Sequence, residues 1–140
     1  MKVLLVRPDL NKKATTGKNF MFGEPLGIEC VSAILKETGN EVLLVDLLAE
    51  SKRNFKKYIR KFKPDLVGFT SQCTDIDNIL LLAADVKKLN KNIKVMVGGI
   101  QATISPEAYF NKNIDYVFKS TTRDNIAQLI KQMEEGTNEE

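Results

Sequence analysis

The feature that most constrains the fold is the alternation, repeated five times, of short strand-like runs with amphipathic helical patterns. The first run, KVLLV at residues 2–6, is apolar at successive positions rather than at every second position. Such a run is typical of a parallel strand that helices cover on both faces. The alternation therefore predicts an α/β fold, namely a doubly wound, mainly parallel five-stranded sheet with helices on both sides.

The strands are predicted at residues 2–6, 41–47, 65–71, 93–99 and 115–120. Five helices are predicted between and after them. The first covers LGIECVSAILKETG and buries one face; the second contains Phe55, Ile59 and Phe62; the third spans 75–90; a short fourth begins at Ser105-Pro106-Glu107; the fifth spans 122–133. The buried face of the first helix is predicted to consist of Leu26, Cys30, Ile34 and Leu35.

Length and composition exclude several classes of protein. The 140 residues fit a single domain, and no stretch approaches the ~18 consecutive apolar residues that span a bilayer. Met1 leads directly into KVLLV without the regions of a signal peptide, so a cytoplasmic location is expected. The chain has no histidine and two distant cysteines, Cys30 and Cys73, which removes Ser/His and Cys/His pairs and the usual zinc sites.

Small polar residues follow the predicted strands. In doubly wound sheets, ligands bind beyond the carboxyl ends of the strands, where these residues would lie. They are Thr70, Ser71, Thr74, Ser120, Thr121 and Thr122, together with Gly98 and Gly99. Glycine lets a ligand approach the main chain, and hydroxyl groups bind the polar edges of a flat group, so a slot for a long, mostly neutral ligand is predicted. For the glycines alone, an ordinary strand-to-helix turn is an equal alternative.

The segment between the first strand and Glu24 is much longer than the usual connection of about 2–6 residues. It carries Lys12, Lys13 and Lys18, so it either covers an anionic ligand or is an ordinary surface loop. It contains neither a dinucleotide-binding glycine motif nor a P-loop, which makes NAD and ATP poor candidates.

A phosphoacceptor receiver domain has the same general architecture. Lys119 and Asp9 occupy places comparable with those of its functional lysine and one of its acidic residues. However, the third strand of a receiver ends in the aspartate that accepts the phosphoryl group, whereas this strand ends in Thr70 and Ser71. The receiver hypothesis therefore lacks its central residue.

The segments MKVLLVRPD, EPLGIECVSAILKETGNEVLLVD, KPDLVGFTSQCTDIDNILLLAADVKKLNKNIKVMVGGIQAT and NIDYVFKS occur in an order and at separations that resemble one family. This is the N-terminal cobalamin (vitamin B12) binding domain of B12-dependent radical SAM enzymes, and the resemblance extends from Met1 to about Met133. It implies a Rossmann-like or flavodoxin-like B12-binding fold. We expect a cobalamin-binding domain at residues 1–134 and a polar, frayed tail at 135–140.

The resemblance also implies which residues contact the cofactor. Thr70 and Thr74 would face the dimethylbenzimidazole nucleotide tail, while Gly98 and Gly99 would let this tail pass the fourth strand. Glu24, at the entry into the first helix, would lie near the upper face of the corrin ring. The complete predicted set is Pro8, Asp9, Glu24, Thr70, Ser71, Gln72, Thr74, Gly98, Gly99, Gln101, Ser120 and Thr121.

Departures from the family pattern refine this expectation. The cobalamin domains of methionine synthase and the mutases ligate cobalt through the histidine of a DxHxxG motif, which this histidine-free chain lacks. Base-off binding is therefore expected, with the lower face of cobalt vacant, occupied by water or covered by another group. The chain also lacks CxxxCxxC. S-adenosylmethionine and the 4Fe-4S cluster are therefore expected in a radical SAM domain of the same full-length polypeptide, and this chain alone is not expected to be catalytic. Cys30 is predicted to be a core residue and Cys73 an ordinary loop residue.

The function implied by the resemblance is cobalamin binding within a radical SAM methyltransferase or a related enzyme. Gln101 and the segment Ser120–Thr122 replace residues common in the family, and they support an alternative: a degenerate B12-like fold that has lost the cofactor and serves as a docking or structural module. The basic segment SKRNFKKYIRKFK predicts a solvated helix face, so neither nucleic acid nor a membrane is expected as a partner.

Overall fold

The computed structural model describes residues 1–9, 25–72 and 74–136 of the chain. The strands within these ranges are β1 (Lys2–Arg7), β2 (Glu41–Asp46), β3 (Leu66–Thr70), β4 (Lys94–Gly98) and β5 (Tyr116–Val117). The helices are α1 (Leu26–Glu37), α2 (Asn54–Phe62), α3 (Ile76–Leu89), α4 (Ile100–Ile104) and α5 (Arg123–Glu135), with a 3-10 helix (Pro106–Tyr109) after α4.

The five strands form one parallel sheet in the order β2-β1-β3-β4-β5. The predicted fold class is thereby confirmed. The strand order reverses between β1 and β3, because the chain passes outward from β1 to β2 and then returns across β1. In doubly wound folds, such a reversal creates a crevice beyond the carboxyl ends of the strands, which is where ligands bind.

Helices cover both faces of the sheet, which accounts for the continuous apolar runs in the strands. Val3 and Leu5 of β1 belong to the core beneath α1 and α5, while Leu4 and Val6 belong to the core beneath α2 and α3. Each of these four side chains is at most 1% exposed. Complete burial of a Val or Leu side chain stabilises the fold by about 1.5–3 kcal/mol.

The buried face of α1 differs in part from the predicted one. Leu35 is buried and Ile34 is half-buried, as expected, but Leu26 is 64% exposed and Cys30 is also exposed. The prediction that Cys30 is a core residue is therefore wrong. The helix buries Ile28 instead, because Ile28 and Leu35 are two turns apart and direct branched side chains onto the sheet, whereas Leu26 occupies the first helical position at its exposed end.

The end of the chain follows the prediction for α5 but not for the preceding segments. Ile126, Leu129 and Ile130 are buried, and the helix continues to Glu135. In contrast, β5 contains two residues rather than six, the helix predicted at Ser105 is a single 3-10 turn, and α4 was not anticipated. Residues 137–140, which include most of the predicted tail, lie outside the described residues. Across the described part of the chain, no helix is long and apolar enough to cross a membrane.

The end of β3 is held against the start of α4 by Ser71, which is 1% exposed. The backbone N–H and the hydroxyl of Ser71 both donate to the Gly98 carbonyl, each at 2.8 Å. The hydroxyl oxygen of Ser71 accepts from the Ala102 N–H at 3.1 Å, and its carbonyl accepts from the Gln101 N–H at 3.3 Å. A Cβ atom on Gly99 would lie 2.8 Å from both the nitrogen and the oxygen of Ser71. Gly99 therefore makes room for the main chain of the protein itself.

We expect Gly99→Ala to lower the free energy of unfolding by about 3 kcal/mol or more. Gly99 has φ 102° and ψ −175°, a backbone region that essentially only glycine adopts, and alanine would add the clash with Ser71. Urea denaturation provides the measurement. Gly136→Ala is the matched control, since Gly136 also has a positive φ of 67° but a Cβ added there would have no atom within 4 Å, so its cost should be about 1 kcal/mol. Equal costs at the two positions would contradict the proposed close contact.

Candidate functional site: a slot between α1 and the sheet

A cavity of about 90 Å³ lies between α1 and the sheet, and we refer to it as the slot. Its sheet side is formed by residues of β1, β3 and β4, and its helix side by the first two turns of α1. At the carboxyl edge of the sheet, Thr70, Gly98, Gly99 and Thr121 line it. The slot therefore connects the apolar core with the edge at which doubly wound folds bind ligands.

Two glycines on adjacent strands account for the depth of the slot. Gly68 of β3 pairs with Met96 of β4, and two residues further along Thr70 pairs with Gly98. Paired residues in parallel strands share a face, so Gly68 and Gly98 lie diagonally on the face toward α1. Gly27 of α1 adds no side chain from the opposite side, and a Cβ on it would have no atom within 4 Å. Because these residues have no side chains, space remains between the helix and the sheet.

The predicted site residues divide into distinct groups. Thr70, Gly98, Gly99 and Thr121 all line the slot. The remaining predicted residues do not line it, and they are Pro8, Asp9, Ser71, Gln72, Thr74, Gln101 and Ser120. Glu24 lies outside the described residues, as do Cys73 and the lysines of the long segment after β1. The assignment of this whole set to cofactor binding remains a prediction.

The residues outside the slot have other partners. Ser71 and Gln101 hold β3 to α4, as described above. Pro8 is buried at the end of β1, whereas Gln72 and Thr74 are exposed. Ser120 is exposed, and its carbonyl accepts a hydrogen bond from the side chain of Asn125 at 2.8 Å.

The sequence interpretation missed Gly27, Gly68 and Met96 as slot residues. A usable signal existed for Gly68, because an isolated glycine within a strand indicates either a bulge or a close approach to the main chain. No comparable signal existed for Met96, since a methionine in a buried strand is usually an ordinary core residue. Its position over Gly68 depends on the register between β3 and β4.

A polar network ties the end of β1 to the helices on the opposite face. The side-chain amide of Asn78 donates to the backbone carbonyl of Asp9 at 2.8 Å and to its carboxylate at 2.6 Å. Lys52 in turn donates to the side-chain oxygen of Asn78 at 2.7 Å. Because Asn78 is 7% exposed, these contacts satisfy an otherwise buried amide. Asp9 is thereby fixed beside the point of strand reversal.

Two carboxyl groups at this edge titrate in opposite directions. Burial raises the pKa of Asp75, and the nearby Asp9 raises it further, although the backbone N–H of Gln72 donates to the carboxylate. Burial alone would also raise the pKa of Asp46, but its hydrogen bonds from the Arg7 guanidinium and from the Leu48 N–H outweigh that effect and lower it. The ion pair of Arg7 with Asp46 joins the ends of β1 and β2.

A parallel sheet with a switch point, and a slot leading to its carboxyl edge, define a ligand-binding domain of the doubly wound α/β class. The profile of the B12 binding domain family matches residues 13–130 of this chain. The chain therefore belongs to the B12-binding domain family. The predicted cofactor, cobalamin, is confirmed as that of the family.

Relatives with known sequences are consistent with this assignment. The chain is 30% identical, over 142 aligned residues, to an uncharacterized methyltransferase, PH0819, of Pyrococcus horikoshii. The alignment covers 97% of this chain and 30% of that protein. This chain thus spans about a third of the length of the relative that it matches.

Solved structures with low sequence identity share the fold. The radical S-adenosylmethionine methyltransferase TsrM of Kitasatospora setae superimposes with a TM-score of 0.73 at 21% identity, covering 98% of this chain and 26% of that one. The cobalamin-dependent S-adenosylmethionine radical enzyme OxsB was solved with aqua-cobalamin bound. It superimposes with a TM-score of 0.68 at 21% identity, covering 94% of this chain and 19% of that one. A response regulator receiver domain of Clostridium thermocellum superimposes with a TM-score of 0.57 at 16% identity, covering 98% of this chain and 100% of that one.

The opposite pKa shifts predict opposite pH dependences of stability for Asp75→Asn and Asp46→Asn. The raised pKa of Asp75 gives stability that is full below its unfolded value of 3.8 and is lost as the pH rises through the folded pKa. The lowered pKa of Asp46 gives stability that is present above 3.8 and is lost as the pH falls through the folded pKa.

Relative to the wild type, Asp75→Asn should therefore become more stable as the pH rises toward neutrality, whereas Asp46→Asn should become less stable. Urea denaturation across the acidic range measures both trends. Asn at residue 75 retains an acceptor oxygen for the Gln72 N–H, so the substitution removes the charge and keeps the hydrogen bond. The two variants serve as controls for each other because the same substitution is made at both positions. Parallel trends would contradict the assignment.

Proposed function

We propose that this chain binds cobalamin with its dimethylbenzimidazole tail in the slot and without an imidazole ligand on cobalt. The observation that carries this proposal is the diagonal pair Gly68 and Gly98, which leaves a slot in the apolar face of the sheet of a B12-family domain. Since the chain contains no histidine, it has no imidazole to offer to cobalt. A tail held in the slot cannot ligate cobalt either, so the bound form is base-off.

The chemistry of the slot fits such a tail. Ile28 and Val31 on the helix side, with Leu5 on the sheet side, offer apolar surface to a flat aromatic base. Thr70 and Thr121 add hydroxyl groups at the carboxyl edge, where they can bind polar atoms of the tail. At about 90 Å³ the slot is smaller than the roughly 300–1,000 Å³ of typical small-molecule sites, so binding requires at least one lining side chain to move.

The contribution of the protein is binding and orientation. Ser71 acts as a positioning residue, because its hydrogen bonds hold Gly98 and the start of α4 at the edge of the slot. The Asn78–Asp9 contacts fix the end of β1 beside the strand reversal. When bound, cobalamin supplies a cobalt centre that can carry a methyl group.

The complete protein is proposed to be a radical SAM methyltransferase or a related enzyme. The chain covers only 30% of the methyltransferase from Pyrococcus horikoshii and 26% of TsrM, so both proteins contain much additional sequence. We assign S-adenosylmethionine and a 4Fe-4S cluster to a radical SAM domain of the same polypeptide. A CxxxCxxC motif found downstream in the reading frame would support this assignment, and its absence there would contradict it.

Titration of the 140-residue chain with hydroxocobalamin tests the central proposal. We expect saturable binding at low micromolar protein concentration, co-elution of the corrinoid on gel filtration, and the visible spectrum of a base-off form. Failure of the corrinoid to co-elute with the protein would contradict the proposal and favour the alternative, a degenerate fold that has lost the cofactor. A base-on spectrum of the bound corrinoid would contradict the placement of the tail in the slot.

Gly98→Val tests the slot directly. A Cβ at residue 98 would lie 3.3 Å from the methyl group of Thr121, a contact that a small shift can relieve, while the larger side chain fills the slot. We expect cobalamin affinity to fall by about tenfold or more with the fold intact. Gly136→Ala, at the far end of α5, is the control and should bind as the wild type does. Wild-type affinity of Gly98→Val would exclude the slot as the binding site.

A further inference from the structure

The side chain of Met96 lines the slot beside Gly68. An ideal Cβ on Gly68 would lie 2.6 Å from the terminal methyl Cε of Met96 and 3.3 Å from its Cγ. The thioether therefore folds over the space that the missing side chain of Gly68 leaves on the neighbouring strand. Met96 is 7% exposed, so its side chain belongs to the wall of the slot rather than to the surface.

Met96 is also the lining side chain that can move most readily. It is unbranched and has three rotatable bonds, so several rotamers are accessible to it at low cost. Ile28 and Val31 are β-branched and stiff at χ1, and Leu5 is 1% exposed in the middle of the sheet. Entry of an aromatic base into the small slot therefore depends on a rotation of Met96 away from Gly68.

The widened slot remains mostly apolar. Among the described residues that line it, the polar side chains are those of Thr70 and Thr121, and both lie at the carboxyl edge. A benzimidazole base brings two ring nitrogens and an apolar benzo ring, which suits this arrangement. A purine base brings two further ring nitrogens and an exocyclic amine in the case of adenine. Burial of these groups against Leu5, Ile28 and Met96 would leave them without hydrogen-bond partners.

We propose that Met96 is a specificity-determining residue that makes the slot select corrinoids with a benzimidazole base over those with a purine base. This inference rests on the proposed cobalamin binding and extends it to the class of corrinoid. Met96 packs against the flat, apolar ring of the benzimidazole and leaves no space for water to solvate the polar atoms of a purine.

The test is a comparison of dissociation constants for hydroxocobalamin and for its analogue with adenine as the lower base, measured by absorbance titration. We expect the wild type to bind the benzimidazole form about tenfold or more tightly, the effect of leaving a buried polar group unpaired. Met96→Ala enlarges the slot and admits water, so the ratio of the two constants should fall to about threefold or less.

Met96→Leu separates mobility from volume. Leucine nearly conserves volume and should preserve the fold, but its branched side chain rotates less freely, so both corrinoids should bind about threefold or more weakly. Met133→Leu is the matched control, because Met133 packs against the same core without lining the slot. Urea denaturation of each variant verifies that the fold is retained.

The outcomes distinguish this inference from the function on which it rests. If neither corrinoid binds the wild type, the proposed function itself is wrong. If both bind the wild type equally, cobalamin binding stands but the selection is overturned. If Met96→Ala retains the wild-type ratio, or if Met133→Leu changes it as strongly, Met96 is not the residue that determines it.

Discussion

The close passage of the end of β3 beneath Gly99 determines the arrangement of the whole carboxyl edge. Ser71 makes four hydrogen bonds there, to groups of Gly98, Gln101 and Ala102. These contacts fix where β4 ends and where α4 begins, and thus the position of Gly98 relative to Thr70. If the two segments were separated by the thickness of one methyl group, the edge of the slot would lose its shape. The stability of the main-chain contact and the geometry of the proposed binding site are therefore linked.

The fold could be predicted from the sequence because parallel strands buried on both faces leave a strong signal. The runs KVLLV and EVLLVD appear where β1 and β2 lie. Prediction from the sequence was weaker where tertiary contacts decide which face of a helix is buried. The exposure of Leu26 and Cys30 depends on the rotation of α1 above the sheet, and several amphipathic faces of its sequence could have been buried.

The candidate site was predictable in location but only partly in composition. Strand ends rich in glycine and hydroxyl groups lie at the carboxyl edge, where Thr70, Gly98 and Thr121 line the slot, and their contact with a cofactor stays a prediction. The two adjacent glycines, however, have different roles that the sequence cannot separate. Both line the slot, but a Cβ on Gly98 would lie nearest to the side chain of Thr121, at 3.3 Å, while Gly99 adopts a positive φ against the main chain of Ser71. Only the register of β3 with β4 places Met96 beside Gly68.

The short β5 has a consequence for how the domain behaves among other chains. An edge strand exposes a row of unpaired backbone groups that can template pairing with a second molecule. Here that edge is two residues long, and beyond it the Lys119 carbonyl already accepts a hydrogen bond from the hydroxyl of Thr103 at 2.8 Å. The β5 edge of the sheet thus offers little template for intermolecular strand addition, in contrast to the opposite edge, where β2 is six residues long.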